Sequence, residues 1–437
     1  MLFAPPRTRA LLATAAVAPW LAACGSEEST PPAAPPAEPA AVPAEPAGPA
    51  TPDELPTGIV LSLAQFSTVA GKPQPGAARL EFLYRSKGAW RTSAMEDAES
   101  NVFHKAMVYP AEEGARLLTL GGSEAVVKLW RRDDSVLEDT EAWRKDFGGK
   151  FSRMRDAEVA DLYGDGAPAI AVATHDQGVV AVLRPSPDGF TAVEIDAEPE
   201  TFVHEIEVGD LDGDGTLEVY ATPSEPNRLE GGEVQKGAVV RYVPKAGEGR
   251  TVVADLADRH AKEILVADVD GDGTDELYVA VEGHVGEFKE LVHPVEIRRY
   301  DAGTPADGGV VIATLDDRLT RFLAVGDVEG DGAKEMVAAT FSSGLWLLRP
   351  GADPKAEWSA SLIDKNSGGF EHASILTDLD GDGADELYVA SDKHKEVRRY
   401  VWDGSKLARE VIYERPDDRP IFTWNLMPVP RELIPGA

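Results

Sequence analysis

Asp210-Leu-Asp212-Gly-Asp214-Gly-Thr-Leu-Glu218 is the stretch from which the fold of this 437-residue chain can be read. It places acids at positions 1, 3, 5 and 9 of a short loop and glycine at positions 4 and 6. Three near copies follow: Asp268-Val-Asp270-Gly-Asp272-Gly-Thr-Asp-Glu276, Asp327-Val-Glu329-Gly-Asp331-Gly-Ala-Lys-Glu335 and Asp378-Leu-Asp380-Gly-Asp382-Gly-Ala-Asp-Glu386. We name each loop by its first residue, as loops 210, 268, 327 and 378. Four copies indicate a repeated structural unit.

The spacing of the acids is typical of a metal-binding loop. Glycines allow the tight turn, and carboxylates on alternate residues can then converge on one point. Two carboxylates about 5 Å apart repel by roughly 3 kcal/mol at an effective dielectric constant of about 20, so such a loop needs a cation. A hard ion with about six to eight oxygen ligands fits best, which favours Ca²⁺ over Mg²⁺. Asp-Gly-Asp-Gly could also be a simple hairpin turn, but a turn does not require acids at positions 1, 3 and 9.

We therefore predict about four Ca²⁺ ions, one in each loop. The predicted ligands are the residues at positions 1, 3, 5, 7 and 9, namely Asp210, Asp212, Asp214, Thr216, Glu218, Asp268, Asp270, Asp272, Thr274, Glu276, Asp327, Glu329, Asp331, Ala333, Glu335, Asp378, Asp380, Asp382, Ala384 and Glu386. A related loop, Asp161-Leu-Tyr163-Gly-Asp165-Gly-Ala-Pro-Ala169, has no acid at positions 3 and 9. We expect this loop 161, with only Asp161 and Asp165, to be a weak or empty metal site.

Apolar runs flank the loops and predict β-strands on both sides. Glu263-Ile-Leu-Val-Ala precedes loop 268, and Glu276-Leu-Tyr-Val-Ala leaves it. A helix–loop–helix calcium site would need an acid at position 12, where this chain has Ala221, Val279, Ala338 or Val389. With a strand, an acidic loop and a second strand, the sequence resembles the FG-GAP/VCBS repeats. This resemblance implies the β-propeller found at the head of integrin α subunits and in many bacterial surface proteins.

The count of predicted hairpins gives the number of blades. Seven outer hairpins can be identified, from Arg79–Arg85 with Ala89–Ala94 to Glu396–Trp402 with Leu407–Tyr413, but only six inner pairs are complete. The seventh inner pair needs residues 58–67 from the N-terminal part and residues 420–429 from the C-terminal part. Sharing one blade between the two ends closes the circle and protects both edges. We predict an all-β, seven-bladed β-propeller of four-stranded antiparallel blades over residues 57–437, closed by N- and C-terminal strands in one blade.

The N-terminal region has a different composition. Arg7 and Arg9 precede an apolar stretch too short to span a membrane, and Leu21-Ala-Ala-Cys24 follows. Residues 1–23 resemble a bacterial lipoprotein signal peptide, which implies cleavage before Cys24 and lipid on this cysteine. An ordinary secretory signal with an incidental cysteine is the alternative. Residues 24–56 are rich in Pro, Ala and Glu and predict an extended tether.

The charge of the chain limits its partners and its place in the cell. Acids number 76 against 43 lysines and arginines, giving a net charge of −33, so nucleic acid and anionic membrane surfaces are poor partners. Contact with a membrane is expected only through the lipid on Cys24. Gly25, rather than aspartate, follows that cysteine, which favours the outer membrane of a bacterial envelope after secretion across the inner membrane. We expect a monomer.

Six basic residues recur six positions before the first loop residue or its equivalent, and they form the candidate ligand rim: His104, Arg155, His204, Lys262, Arg321 and His372. Inward-pointing side chains at these positions would form an anion-attracting funnel at the channel mouth. Alternatively, neighbouring acids such as Asp156, Glu205, Glu263 and Glu371 neutralise them. The insertions Ser224–Lys236 and Glu282–Pro294 are further candidates for binding loops.

Two classes of function fit these features. The first is a cell-envelope binding or scaffold protein that presents a propeller surface to a protein or glycan. The second is an enzyme, similar to a polysaccharide lyase, that acts on an anionic sugar at the basic rim. No nucleophile–base pair, glycine-rich phosphate loop or tryptophan-docking repeat is evident in the sequence, so no catalytic residue is predicted and the enzyme is the less favoured class.

Overall fold

Short runs of β-branched, aliphatic and aromatic residues, separated by turns rich in Gly and Asp, form antiparallel strands along the chain. The computed structural model describes residues 51–437 except 70, 123, 148–151, 176, 199–200, 224–235, 287, 289 and 417–419. These residues belong to the unit Pro46–Ala437. The predicted signal peptide, Cys24 and most of the predicted tether therefore lie outside the described residues, as does most of the insertion at 224–236.

The strands, in chain order, are β1 (Thr57–Val69), β2 (Lys72–Pro75), β3 (Ala78–Ser86), β4 (Ala89–Asp97), β5 (Phe103–Ala111), β6 (Gly114–Gly121), β7 (Ala125–Asp133), β8 (Val136–Lys145), β9 (Met154–Ala160), β10 (Ala169–Thr174), β11 (Val179–Ser186), β12 (Gly189–Ala197), β13 (Ile206–Gly209), β14 (Glu218–Ala221), β15 (Ala238–Val243), β16 (Glu248–Asp255), β17 (Ala261–Ala267), β18 (Glu276–Val281), β19 (His284–Val285), β20 (Leu291–His293), β21 (Val295–Tyr300), β22 (Val310–Leu315), β23 (Thr320–Gly326), β24 (Glu335–Thr340), β25 (Leu345–Arg349), β26 (Ser359–Asp364), β27 (Ser374–Thr377), β28 (Glu386–Ser391), β29 (Glu396–Trp402), β30 (Leu407–Glu414) and β31 (Ile421–Pro430).

The described residues also include two single-turn 3-10 helices, Asp392–His394 and Arg431–Leu433. Within the described ranges, no helix has the length and apolar character needed to cross a membrane.

The strands form seven four-stranded antiparallel blades, as predicted. We number the blades in chain order: blade 1 contains β31, β1, β3 and β4, blade 2 contains β5–β8, blade 3 β9–β12, blade 4 β13–β16, blade 5 β17, β18, β21 and β22, blade 6 β23–β26, and blade 7 β27–β30. The first strands β31, β5, β9, β13, β17, β23 and β27 each contact the next one, so they form a closed inner ring. The small ribbon β19–β20 lies in the insertion at 282–294, and β2 extends the end of β1.

Both ends of the described chain meet in blade 1, which confirms the predicted closure. β31 pairs with β1 in antiparallel register, with Gly58 opposite Val429 and Leu61 opposite Leu426. A buried polar network adds to the join between blades 7 and 1: Arg415 contacts Glu81 in β3 at 3.3 Å and donates to Thr423 in β31 at 2.7 Å. Because the first and last long strands of the described chain pair in one sheet, blade 1 completes the circle of blades.

The core lies between neighbouring blades. Every residue of the second strands β10, β18, β24 and β28 is buried, because both faces of a blade pack on its neighbours. Outer strands are far more exposed, for example β12. Full burial of one Val, Leu or Ile side chain contributes roughly 1.5–3 kcal/mol to folding.

The propeller has two distinct faces. Because successive strands of a blade are antiparallel, all connections between first and second strands lie on one face. These connections include loops 161, 210, 268, 327 and 378, and we call this the acidic-loop face. The connections between second and third strands and between blades lie on the opposite face. The insertion at 282–294 connects the second and third strands of blade 5 and therefore lies on the opposite face.

The closure predicts that Leu426, which is 1% exposed in β31, carries much of the stability of blade 1. Leu426→Ala should lower the free energy of unfolding by about 2–5 kcal/mol, measured by chemical denaturation. The control is Leu362→Ala in the outer strand β26, because Leu362 is 45% exposed. This control should change stability by less than about 0.5 kcal/mol. Equal effects of the two substitutions would contradict a stabilising closure.

Candidate functional site

The acidic loops fold on their own backbone. Glycines at positions 4 and 6 of the four loops have φ between 68° and 94°, a conformation that residues with a side chain rarely adopt. In loop 210, Asp210 accepts hydrogen bonds from the backbone N–H groups of Asp214 at 3.1 Å and Gly215 at 2.8 Å. Asp214 in turn accepts one from the N–H of Thr216 at 2.7 Å. The position 1 aspartate thus curls the loop and draws the other acids toward itself.

Three loops bring several carboxylates within reach of one ion. Asp268, Asp270, Asp272 and Glu276 offer oxygens within 4.8 Å of one another, as do Asp378, Asp380, Asp382 and Glu386, and also Asp210, Asp212 and Asp214. Carboxylate oxygens of this number suit a hard divalent cation. One oxygen in loop 378 supports this fit directly: Oδ1 of Asp380 is buried and accepts no hydrogen bond from the described residues.

Loops 327 and 161 differ from the other three. In loop 327, Arg349 donates to Oε1 of Glu329 through Nε at 2.8 Å and Nη2 at 2.6 Å. Its acids do not form a converging group of the kind seen in loops 210, 268 and 378. In loop 161, the Asp165 carboxylate is paired with Arg184. That pairing agrees with the expectation of a weak or empty site, which stays a prediction.

The glutamates at position 9 are buried and link the loop to the second strand by hydrogen bonds, and they are also candidate metal ligands. Oε2 of Glu276 accepts hydrogen bonds from the N–H of Val269 at 3.3 Å and the hydroxyl of Tyr278 at 2.9 Å. Oε2 of Glu386 likewise accepts from Leu379 at 3.2 Å and from Tyr388 at 2.9 Å. Burial raises the pKa of Glu276 to about 7 and that of Glu386 to about 7. Each glutamate therefore closes its loop onto the second strand.

Position 8 joins loops of neighbouring blades, a role that the sequence analysis missed. The carboxylate of Asp275 in loop 268 accepts a hydrogen bond from the N–H of Asp210 at 2.8 Å. Asp385 in loop 378 does the same for the N–H of Asp327 at 2.9 Å. The residue before each bonded N–H is glycine, and a Cβ at Gly209 or at Gly326 would approach the Asp275 or Asp385 carboxylate to within 3 Å. Glycine there, with aspartate at position 8 of the next loop, was the signal in the sequence.

The rim residues do not converge as one open ring of six cations. His104 is buried, with Nδ1 against the carbonyl of Met154, and His372 is fully buried. Arg155 and Arg321 share one partner, because a guanidinium nitrogen of each lies 3.8 Å from the same carboxylate oxygen of Glu371. His204 is buried with its ring 4.9 Å from that of His175, and Lys262 is half-buried.

A cluster of acids on the inner ring surrounds a buried lysine, Lys105, which the sequence analysis did not single out. Its Nζ lies 2.9 Å from Asp156 and also contacts Glu158. Burial and repulsion by Asp156 raise the pKa of Glu205, and burial raises that of Glu263. Of the acids considered as neutralising partners, Glu371 contacts rim arginines, whereas Asp156 is bound by Lys105.

His372 ties blade 7 to blade 6. Its Nδ1 lies 2.9 Å from the carbonyl oxygen of Thr340, and its Nε2 lies 2.8 Å from the hydroxyl of Ser367. This is a serine–histidine contact that the sequence did not reveal. Burial lowers the pKa of His372 to about 4, which makes it a weak general base at neutral pH. The contact fits a structural clamp better than an activated nucleophile.

The opposite face carries a cleft of about 450 Å³ where blades 6, 7 and 1 meet. We call it the opposite-face cleft. Its lining includes three aromatic rings and a set of polar side chains: Phe341, Phe370, Phe422, Lys365, Asn366, Lys393 and His394. Four separate connections or strands supply these residues, so no single stretch of sequence marked the cleft.

The neutral, buried state of His372 predicts a pH-dependent stability. Its pKa is about 4 in the folded protein, against an ordinary value near 6.5, so the unfolded chain binds the extra proton between these values. Stability should be fully present above about pH 6.5 and fall as the pH drops toward 4, by roughly 3 kcal/mol. His372→Asn, which suits the positive φ of 58°, should flatten this slope in denaturation measured across pH. An unchanged slope, equal to that of the exposed control His284→Asn, would contradict the assignment.

Comparisons with known proteins agree with this geometry. Residues 126–221 match the model of the FG-GAP-like repeat family, a range that includes loops 161 and 210. No curated protein matches the sequence.

Solved structures show the same fold at low identity. A provisionally named 6-phosphogluconolactonase from Bacteroides fragilis is 14% identical with a TM-score of 0.52, over 86% of this chain and 98% of that one. A second, from Bacteroides uniformis, is 12% identical with a TM-score of 0.53, over 86% and 100%. Sqt1 from Saccharomyces cerevisiae is 9% identical with a TM-score of 0.50, over 84% and 88%. Such identities support a shared fold and nothing about activity. The chain is a seven-bladed β-propeller in which residues 126–221 match the FG-GAP-like repeat family.

Proposed function

We propose that this protein is a calcium-stabilised binding protein of the bacterial cell envelope, anchored by lipid on Cys24, that holds an acidic glycan in the opposite-face cleft. A propeller with FG-GAP-like repeats fits a binding or scaffold role. The observation that carries the proposal is the cleft, because it combines aromatic rings with exposed cations in a strongly acidic protein.

The aromatic rings give the cleft a surface for flat, ring-shaped groups. The rings of Phe370 and Phe422 lie 5.5 Å apart between centroids, and Phe341 is on the neighbouring blade. All three are only half-buried. A site with apolar rings and a few polar groups is the usual design of a small-ligand pocket, and aromatic faces pack well on the C–H faces of sugars.

The charge around the cleft favours an anionic ligand. Lys365 and Lys393 are exposed at its edge, and the guanidinium of Arg321 lies 5.3 Å from the ring centre of Phe370. The acid in the lining, Asp392, is already bound by Arg415 and by the N–H of Thr423 at 2.6 Å. The two exposed lysines would therefore attract an anionic ligand to the cleft, although the chain as a whole carries −33.

Binding to an acidic polysaccharide tests the function. Polygalacturonate in an affinity gel should retard the wild-type protein, whereas neutral dextran should not. Phe370→Ala should weaken binding about tenfold, since losing one ring contact costs about 1.4 kcal/mol. Phe288→Ala is the matched control, because Phe288 is 86% exposed on the insertion of the same face, and it should bind like the wild type.

The other outcomes separate the alternatives. An absence of retardation, or equal retardation of both phenylalanine variants, would contradict glycan binding at the cleft. Turnover of the polysaccharide, abolished by His204→Ala or His372→Ala, would support the enzyme instead. Capture of a defined envelope protein, lost in Phe370→Ala, would support a protein ligand in place of a glycan.

The role of calcium is tested separately. The carboxylates of loops 210, 268 and 378 repel one another and a bound Ca²⁺ would relieve this repulsion, so chelation should lower the melting temperature. The measurement is thermal unfolding with EDTA and after Ca²⁺ is restored, with elemental analysis of the purified protein. An unchanged melting temperature together with no bound Ca²⁺ would overturn calcium stabilisation and leave the glycan proposal intact.

A further inference from the structure

Three blades share an arginine that points into the acidic loop. Arg241 in β15, Arg299 in β21 and Arg399 in β29 each lie on the third strand of their blade. Each stands opposite the tyrosine at position 11 of its loop, in the pairs Tyr220–Arg241, Tyr278–Arg299 and Tyr388–Arg399. Position and partner are thus the same in blades 4, 5 and 7.

One atom of each arginine makes the same two contacts. Nη2 of Arg299 lies 2.8 Å from Oδ2 of Asp270 and 3.1 Å from Oε1 of Glu276. Nη2 of Arg399 lies 2.5 Å from Oδ2 of Asp380 and 2.7 Å from Oε1 of Glu386. Arg241 makes the equivalent pair of contacts, to Asp212 at 3.4 Å and to Glu218. The guanidinium therefore bridges positions 3 and 9 in all three loops.

Loop 327 lacks this arrangement. Its position 11 is Val337, which stands opposite Leu347 rather than opposite an arginine. Arg349 lies further along β25, and its Nε and Nη2 both donate to the longer side chain of Glu329 rather than to Glu335. Loops 210, 268 and 378, which have the tyrosine and the bridging arginine, are also the three whose acids converge.

We infer that Arg241, Arg299 and Arg399 are built-in counter-cations of three divalent-cation sites, and that loop 327 is not a site of this kind. The inference rests on the proposal that the acidic loops bind Ca²⁺. It changes the expected number of equivalent ions from about four to about three.

The contacts explain how an arginine and a metal ion can share one loop. Because Nη2 takes Oδ2 of Asp380, the other oxygen of that carboxylate, Oδ1, stays available for an ion and accepts no hydrogen bond from the described residues. The side chains of Arg399 and Asp380 are each 2% exposed, so water screens this interaction little. The guanidinium offsets part of the repulsion among the acids whether or not an ion is present.

This role has a thermodynamic consequence. A cation that stabilises the loop without the metal reduces the additional stability that the metal can supply. Removing the arginine should therefore destabilise the ion-free protein and enlarge the stabilisation by Ca²⁺. A residue that merely packs would lower stability equally with and without Ca²⁺.

The test compares neighbouring arginines of one strand. Arg299→Gln should lower the melting temperature in EDTA by several degrees and increase the rise on adding Ca²⁺. Arg298→Gln is the matched control, because Arg298 pairs with Glu296 at 2.6 Å instead of with the loop, and its Ca²⁺-induced rise should match that of the wild type. An unaltered melting temperature of Arg299→Gln in EDTA, or the same loss with and without Ca²⁺, would overturn the inference.

Counting bound ions provides a readout that does not depend on the arginine variants. Elemental analysis should find three Ca²⁺ per chain, with one lost in Asp382→Asn and none lost in Asp331→Asn, which changes the same loop position in loop 327. Four ions, with one lost in each variant, would overturn the inference and leave calcium binding intact. No ion in the wild type would remove the calcium proposal on which the inference rests.

Discussion

Repulsion between carboxylates at the corners of the blades is the constraint on which the rest of the structure depends. The first aspartate of an acidic loop accepts hydrogen bonds from backbone N–H groups later in the same loop, as Asp210 does from Asp214 and Gly215. The resulting turn brings the carboxylates of the loop close together. Side chains from outside the loop offset part of this repulsion. The tyrosine of the second strand and the arginine of the third strand bind the glutamate at position 9, as Tyr278 and Arg299 do for Glu276. The corner is therefore a property of three strands rather than of nine residues.

Closure of the ring joins the seven blades, and with them the acidic loops, into one folded unit. The first strands contact one another around the circle, and blade 1 completes it with β31 from one end of the chain and β1 from the other. Asp275 and Asp385 extend this coupling to the corners, because each binds the loop of the preceding blade. The acidic loops of these neighbouring blades are thus joined by direct hydrogen bonds.

The two faces of the propeller have different chemistry. Acids dominate the loops of one face, where one arginine of the same blade offsets part of their charge in loops 210, 268 and 378. On the opposite face, Asp392 is neutralised within the protein, whereas Lys365 and Lys393 are exposed beside three phenylalanine rings. This asymmetry is the basis for placing structure on the first face and recognition on the second.

The sequence by itself determined the blade count, the loop positions and the closing strands. These features depend on the alternation of apolar residues, on glycine spacing and on repetition, all of which can be read over a few neighbouring residues. The observed pair Gly58–Val429 lies within the two segments that the sequence predicted to pair, 58–67 and 420–429. Side-chain direction was decided only by the tertiary structure. His372 and Arg321 share one position in the repeat, yet His372 is clamped between blades while Arg321 approaches Glu371. The bridging arginines lie about twenty to thirty residues after the first residue of their loops, and the cleft gathers side chains from three blades. Such contacts depend on the register, twist and packing of neighbouring blades, which local patterns do not encode.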